Sequence, residues 1–155
     1  MVIIMKVSEI YSFLEQSAPF KYQEKYDNSG FLIGDKSAEV AKICLCLDIT
    51  LDVIAEAAEK GANLIISHHP VIFKAISDIK ANTPVHKLIK HEINAICAHT
   101  NFDVAVMADL MIELLDFPKN GSVIEIVSPD GAGFGRFSDL SEPVTADKLA
   151  EKCKQ

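Results

Sequence analysis

The chain has 155 residues, 49% of them hydrophobic and 24% charged, enough for one ordinary core and unlike a disordered or fibrous chain. Its formal net charge of -7 is spread through residues such as Glu56, Glu59, Asp78, Glu92, Asp109, Glu113 and Asp130, which favours solubility; without a Lys/Arg cluster interleaved with aromatics, and without Trp, nucleic acid is disfavoured as the main partner. The four cysteines lack a C-x-x-C pair and no apolar run reaches the roughly 20 residues that span a bilayer, so a reducing, cytoplasmic setting is expected and membrane insertion is not.

The apolar opening Met1-Val2-Ile3-Ile4-Met5-Lys6 lacks a basic leader region, a long apolar stretch and a small-residue cleavage site, and is not read as a signal peptide. Ser8 stands at a helix-cap position, with Ile10, Phe13 and Leu14 at helical spacing behind it, and Ser17-Ala18-Pro19 ends that helix. Tyr26-Asp27-Asn28-Ser29-Gly30 has the composition of a turn, and Phe31-Leu32-Ile33-Gly34 reads as a short strand. A near-continuous apolar strand, Ile43-Cys44-Leu45-Cys46-Leu47, precedes a helix capped by Thr50, which buries Leu51, Ile54, Ala57 and Ala58 and stops at Gly61. The next strand, Leu64-Ile65-Ile66, leads into Ser67-His68-His69-Pro70; after a longer connection, Thr83-Pro84 opens a helix carrying Val85, Leu88 and Ile89. A third strand, Ile93 to Ala98, ends at His99-Thr100-Asn101-Phe102-Asp103, and an apolar helix is predicted over roughly 104–115. Past Gly121 come Val123-Ile124-Glu125-Ile126-Val127, a glycine-rich turn from Gly131 to Gly135, and a helix capped by Thr145. The chain stops inside that helix, which reads as a longer protein cut short.

Strands this uniformly apolar are usually buried on both faces, and their alternation with helices implies right-handed crossovers. The expected fold class is α/β: a layered fold with a mixed, largely parallel sheet flanked by helices. Residues 1–118 are expected to form an N-terminal lobe carrying half of a metal site, and 119–155 the start of the following segment.

In an open α/β sheet, ligands gather outside the carboxyl ends of the strands. His68, His69 and Asp103 all fall at that edge and are the candidate metal ligands. Adjacent histidines leaving a strand should point in different directions, which suits two neighbouring ions better than one, and a carboxylate at Asp103 can bridge such a pair. An isolated His-His pair in a loop is more commonly a surface feature; the second group, His99-x-x-x-Asp103, is what lifts the metal reading. His99 and Asn101 are assigned to support Asp103 from behind, and Asp48 is weighed as a helix cap or turn residue against a similar supporting role. Cys44-x-Cys46 is set aside as a ligand pair on the expectation that its thiols leave the strand on opposite faces. Gly131 to Gly135 lacks the spacing of a phosphate loop, and no G-x-S-x-G elbow occurs.

The segments Asp27-Asn28-Ser29-Gly30, Leu64-Ile65-Ile66-Ser67-His68-His69-Pro70 and Ala98-His99-Thr100-Asn101-Phe102-Asp103, in that order and at these separations, resemble the NIF-three-like family, whose members are also called GTP cyclohydrolase I type 2 homologs. The resemblance runs from the first helix through Gly133-Phe134-Gly135-Arg136, and Tyr26 stands where that family usually has tryptophan. It implies two related lobes, two divalent metal ions such as zinc, iron or manganese, and a ring-shaped homohexamer built from dimers. By matching position it makes His68, His69 and Asp103 ligands, with a further histidine and glutamate supplied from a carboxyl-terminal segment beyond this chain. Metal is therefore expected to be incompletely bound here. In full-length form the expectation is a metal-dependent hydrolase acting on a small-molecule nucleotide or other phosphoester, the alternative being a non-enzymatic, metal-stabilised oligomeric scaffold or adaptor.

Overall fold

The computed structural model describes residues 4–154; the first three residues of the apolar opening and the final Gln155 lie outside them. The chain divides into two compact units between Phe102 and Asp103, ahead of the boundary expected at 118–119. The helical segment after Asp103 packs against the strand Gly133–Arg136 that follows it, which is why it groups with the later residues.

The first unit is a four-stranded sheet with helices on both faces. In chain order it contains α1 (Val7–Ser17), β1 (Gly30–Ile33), β2 (Ile43–Cys46), α2 (Leu51–Glu59), β3 (Leu64–Ser67), α3 (Pro84–Lys90), β4 (Asn94–Cys97) and a single helical turn, α4 (Thr100–Phe102). The strand order is β1-β4-β3-β2. Strands β2, β3 and β4 are parallel and in step, with Cys46 beside Ser67 and Ser67 beside Cys97. Strand β1 runs antiparallel on β4 and pairs Gly30 with Cys97. The sheet is thus mixed and largely parallel, as expected, and its register brings the carboxyl ends of β3 and β4 level with the turn that precedes β1.

Two apolar clusters hold these layers together. Ile54 and Ala57 of α2 and Leu88 of α3 pack with Ile33, Ile65, Ile93 and Ala95 on one face. On the other, Val7 of α1 and Phe20 pack on Leu64 and Ile96, with Ile10, Tyr11 and Leu14 at the margin. Ile54, Leu64, Ile65, Leu88 and Ile96 are fully buried, each contributing about 1.5–3 kcal/mol of transfer free energy.

Several local expectations change on contact with this packing. Lys6, not Ser8, occupies the cap of α1, its N–H donating to the Glu9 carboxylate at 2.7 Å. Thr50 and Thr83 do cap α2 and α3 through their hydroxyls, but Leu51 is exposed. The apolar run of β2, one of the sheet's two edge strands, is not buried on both faces: Ile43, Leu45 and Leu47 face outward while Cys44 and Cys46 turn inward to the first cluster. The opposite-face expectation for the two thiols fails as well, because residues two apart share a face of a strand. Burial, followed by the nearby Cys44 and Asp48, pushes the Cys46 thiol up to about 11, so it packs as a small neutral side chain.

The second unit contains a π-helical turn (Asp103–Met107), α5 (Ala108–Leu114), the hairpin β5 (Val123–Ile126) and β6 (Gly133–Arg136), and α6 (Ala146–Lys152). The single helix predicted over 104–115 is therefore two segments. Arg136 of β6 grips Asp109 of α5 with two N–H groups, at 2.7 and 3.1 Å, the bidentate geometry that gives such pairs their strength. No helix of the described residues is long and apolar enough to cross a membrane.

Candidate metal centre

The parallel ladder does not stop with the strands. His68 N–H donates to the Cys46 carbonyl at 3.1 Å and His69 N–H to that of Leu47 at 2.9 Å, while Ala98 N–H reaches Ser67 at 3.0 Å. The Ser67 hydroxyl donates to the His69 carbonyl and the Cys97 thiol to that of His68, so the backbone beneath both imidazoles is pinned from its own strand and from its neighbour. His68, His69 and His99 each offer a ring nitrogen within 4.8 Å of the others. The ring centroids of His68 lie 5.1 Å from those of both His69 and His99, and His69 and His99 are 5.4 Å apart. Adjacent histidines were expected to diverge. They converge because the chain bends after Ser67, which ends the strand's alternation.

What the three rings do with Nδ1 decides which nitrogen a metal can take. His68 Nδ1 lies 3.1 Å from the Ala98 carbonyl oxygen, His69 Nδ1 2.8 Å from Asp48 Oδ1, and His99 Nδ1 2.9 Å from Asp27 Oδ1. A carbonyl or carboxylate oxygen only accepts, so each Nδ1 carries the hydrogen, and Nε2 is the nitrogen through which such a ring, when neutral, can bind a metal. This pattern of an oxygen behind each ring is how proteins fix the tautomer and orientation of metal-binding histidines. The donor chemistry and spacing are such that the three rings could hold a metal ion.

The oxygens behind the rings differ. Asp48 and His69 are both open to solvent, at 57% and 45% side-chain exposure, whereas the Asp27 side chain is fully buried and His99 is 19% exposed. Asp27 also accepts from the Thr100 hydroxyl and N–H, from the Ser29 hydroxyl at 2.7 Å and from Asn28 N–H at 2.7 Å. Burial would raise its carboxyl, but the hydrogen bonds from Thr100, His99, Ser29 and Asn28 outweigh it and hold it at about 2. Asp27 is therefore a carboxylate at every ordinary pH. Because it accepts from Thr100 N–H, it also caps the helical turn there, which is why that helix starts earlier than the apolar periodicity indicated.

Asp48, weighed as a cap or a supporting residue, stands behind His69. Asn101 is fully buried; its Oδ1 accepts from His99 N–H at 3.0 Å and its Nδ2 donates to the Ala18 carbonyl at 2.6 Å, so it anchors the His99 backbone to the end of α1. His99, expected as a supporting residue, has a ring nitrogen within 4.8 Å of those of His68 and His69. Asp103 opens the π-helical turn of the second unit. Sequence reasoning missed Asp27 as a site residue: it sits 72 positions from His99, and its segment was read as a turn and as one of the motifs of the family resemblance, with no role given to its carboxylate. The available clue was the grouping of Asp27-Asn28-Ser29-Gly30 with the two histidine-bearing motifs; the antiparallel pairing of β1 on β4 that brings them together is announced by no local pattern.

A layered α/β unit that presents three back-anchored imidazoles at the carboxyl end of parallel strands defines a candidate metal-binding protein. The family described as Duf34/NIF3 (NGG1p interacting factor 3) matches residues 5–155, and the chain belongs to it. The resemblance read from the sequence motifs is thereby borne out. The chain is similar to the GTP cyclohydrolase 1 type 2 homolog of Staphylococcus aureus (strain MRSA252), 48% identical over 103 residues, covering 64% of this chain and 28% of the relative. A protein of the same name from Clostridium perfringens is 38% identical over 157 residues, covering 97% of this chain and 60% of the relative. The crystal structure of a Staphylococcus aureus hypothetical protein superposes with a TM-score of 0.84 at 31% identity, covering 97% of this chain and 63% of that one. The chain thus spans between 28% and 63% of the length of these three relatives.

Proposed function

We propose that His68, His69 and His99 are the nitrogen side of a metal centre, with Asp103 as the carboxylate that the sequence pattern assigns to it. We propose further that the protein at its relatives' length is a metal-dependent hydrolase of a nucleotide or another phosphoester. The observation that carries the reading is the convergence of three imidazoles, each with Nδ1 held by an oxygen. A histidine cluster kept only for packing has no need of three separate tautomer locks. The residues' part is to hold and aim: Ala98, Asp48 and Asp27 fix the rings, and the Ser67 and Cys97 side chains fix the backbone beneath two of them. A bound divalent ion would supply Lewis acidity and lower the pKa of a coordinated water. Imidazole and carboxylate donors suit zinc, iron or manganese, the choice resting on geometry and supply. The second ion and the dimer-based homohexamer belong to this reading through the family resemblance, and a guanine nucleotide substrate through the relatives' printed names.

The test is elemental analysis of residues 1–155 together with turnover of nucleotides and simple phosphoesters by the protein at its relatives' length, beside His68→Ala, His69→Ala and Asp103→Ala. The expected result is metal retained weakly by residues 1–155 and firmly by the longer protein, with turnover falling at least about a hundredfold in each variant. Metal bound firmly with turnover indifferent to all three substitutions sinks the hydrolase and leaves a metal-stabilised scaffold. No metal in either length sinks the metal centre itself.

A further inference from the structure

We infer that Asp27 is a positioning residue of this centre: its buried carboxylate fixes His99 as the Nδ1–H tautomer, and that contact is what makes His99 a metal ligand instead of a packed imidazole. The inference rests on the metal reading above and extends it to a residue in a different segment of the chain. Three observations carry it. The Asp27 carboxylate is fully buried and lies 2.9 Å from His99 Nδ1, so water does not compete for that hydrogen bond. Its other donors, Thr100, Ser29 and Asn28, hold it in place whether or not His99 is engaged, so the acceptor is preorganised and the ring conforms to it. The His99 backbone is independently fixed, its N–H going to Asn101 Oδ1 at 3.0 Å and Ser29 Oγ at 3.3 Å, so ring orientation and tautomer are what remain for Asp27 to decide.

The other carboxylate–histidine pair supplies the contrast. Asp48 stands behind His69 at 2.8 Å, but both side chains are about half exposed, and water can replace that carboxylate at little cost. The geometry alone makes the two pairs look equivalent. Burial makes them unequal, and it predicts which one metal affinity depends on.

Residues 1–155 are titrated with Co²⁺, a probe whose visible absorption reports its ligands, as wild type, Asp27→Asn, Asp48→Asn and Thr100→Val. Thr100→Val removes an Asp27 partner and destabilises the same turn while leaving the Asp27–His99 contact. Asp27→Asn should weaken Co²⁺ binding about 10- to 100-fold and change the absorption envelope, Asp48→Asn less than about fivefold, and Thr100→Val should lower the metal-free melting midpoint with affinity near wild type. Equal affinity losses in Asp27→Asn and Thr100→Val, or none in a folded Asp27→Asn, overturn the inference. A second measurement needs no variant: long-range proton–nitrogen NMR of the metal-free wild type should show the His99 proton on Nδ1, and a proton on Nε2 overturns the inference whether or not Asp27→Asn folds. If wild type takes up no Co²⁺, the metal reading and the inference's ligand claim fall together. An Nδ1–H His99 beside normal Co²⁺ uptake that Asp27→Asn leaves unchanged overturns the inference alone.

Discussion

At the scale of single residues, the site is a contest between burial and hydrogen bonding, and Asp27 shows which wins. Its folded-state carboxyl is held at about 2 against an ordinary value of 3.8, so the unfolded chain takes up the proton more readily than the native one. The stabilisation is then fully present above about pH 4 and is lost as pH falls through 2. In metal-free protein this amounts to something on the order of 2 kcal/mol. Urea unfolding between pH 6 and pH 2.5 should show stability dropping below pH 4 in wild type, with the drop reduced in Asp27→Asn; parallel curves for the two proteins would refute the assignment. Asn101 is the complementary case, a neutral amide whose two partners are both backbone groups. Asn101→Ala leaves the Ala18 carbonyl without its 2.6 Å donor and the His99 N–H with only the longer contact to Ser29, which should cost about 2 kcal/mol or more of unfolding free energy. His68 and His69 were legible from sequence because a histidine pair just past an apolar strand already implies a place at a sheet edge. Asp27 was not legible, since a turn composition says how the backbone bends and nothing about which distant side chain the carboxylate will meet.

At the scale of elements, period was a better guide than composition. The strand–helix alternation from Ile43 to Cys97 was readable because each strand is short, apolar and ended by a turn or cap residue, and Thr50 and Thr83 fulfil their capping signals through their own hydroxyls. Composition misled at β2, whose run of five apolar residues looks like a buried strand although its position at the sheet edge leaves Leu45 74% exposed. Strand order is a tertiary fact, and an edge and a centre strand of equal hydrophobicity cannot be told apart locally. The consequence is testable by a matched pair. Leu45→Ser should change unfolding free energy by no more than about 0.5 kcal/mol, whereas Ile65→Ala, one strand further in and fully buried, should cost about 2–5 kcal/mol. Comparable losses at the two positions, measured by denaturant midpoint at constant slope, would contradict the assigned strand order. The helix start at Thr100 makes the same point from the other side: its cap comes from Asp27, so a search for a nearby capping residue could only place the helix too late.

At the scale of the whole molecule, the chain joins two units that differ in how they are held. In the first, β3 and β4 are paired on both edges and packed on both faces. The second is organised around a two-stranded hairpin whose Ile124 and Ile126 face outward, and a two-stranded hairpin by itself is marginal in water. All three imidazoles and all three oxygens behind them belong to the first unit. Amide hydrogen exchange on residues 1–155 should therefore find β3 and β4 protected longest, and β5 and β6 exchanging earlier through local opening. Adding Co²⁺ or Zn²⁺ should slow exchange further at the segments that carry the ligands, around His68, His69 and His99, because binding to the native state raises the cost of opening whatever holds the ion. Protection of the hairpin equal to that of β3 and β4 would contradict the division of the chain into two units. Metal-induced slowing confined to the hairpin would remove the ion from the histidines altogether, since an ion cannot stabilise a segment that does not bind it without first stabilising the one that does.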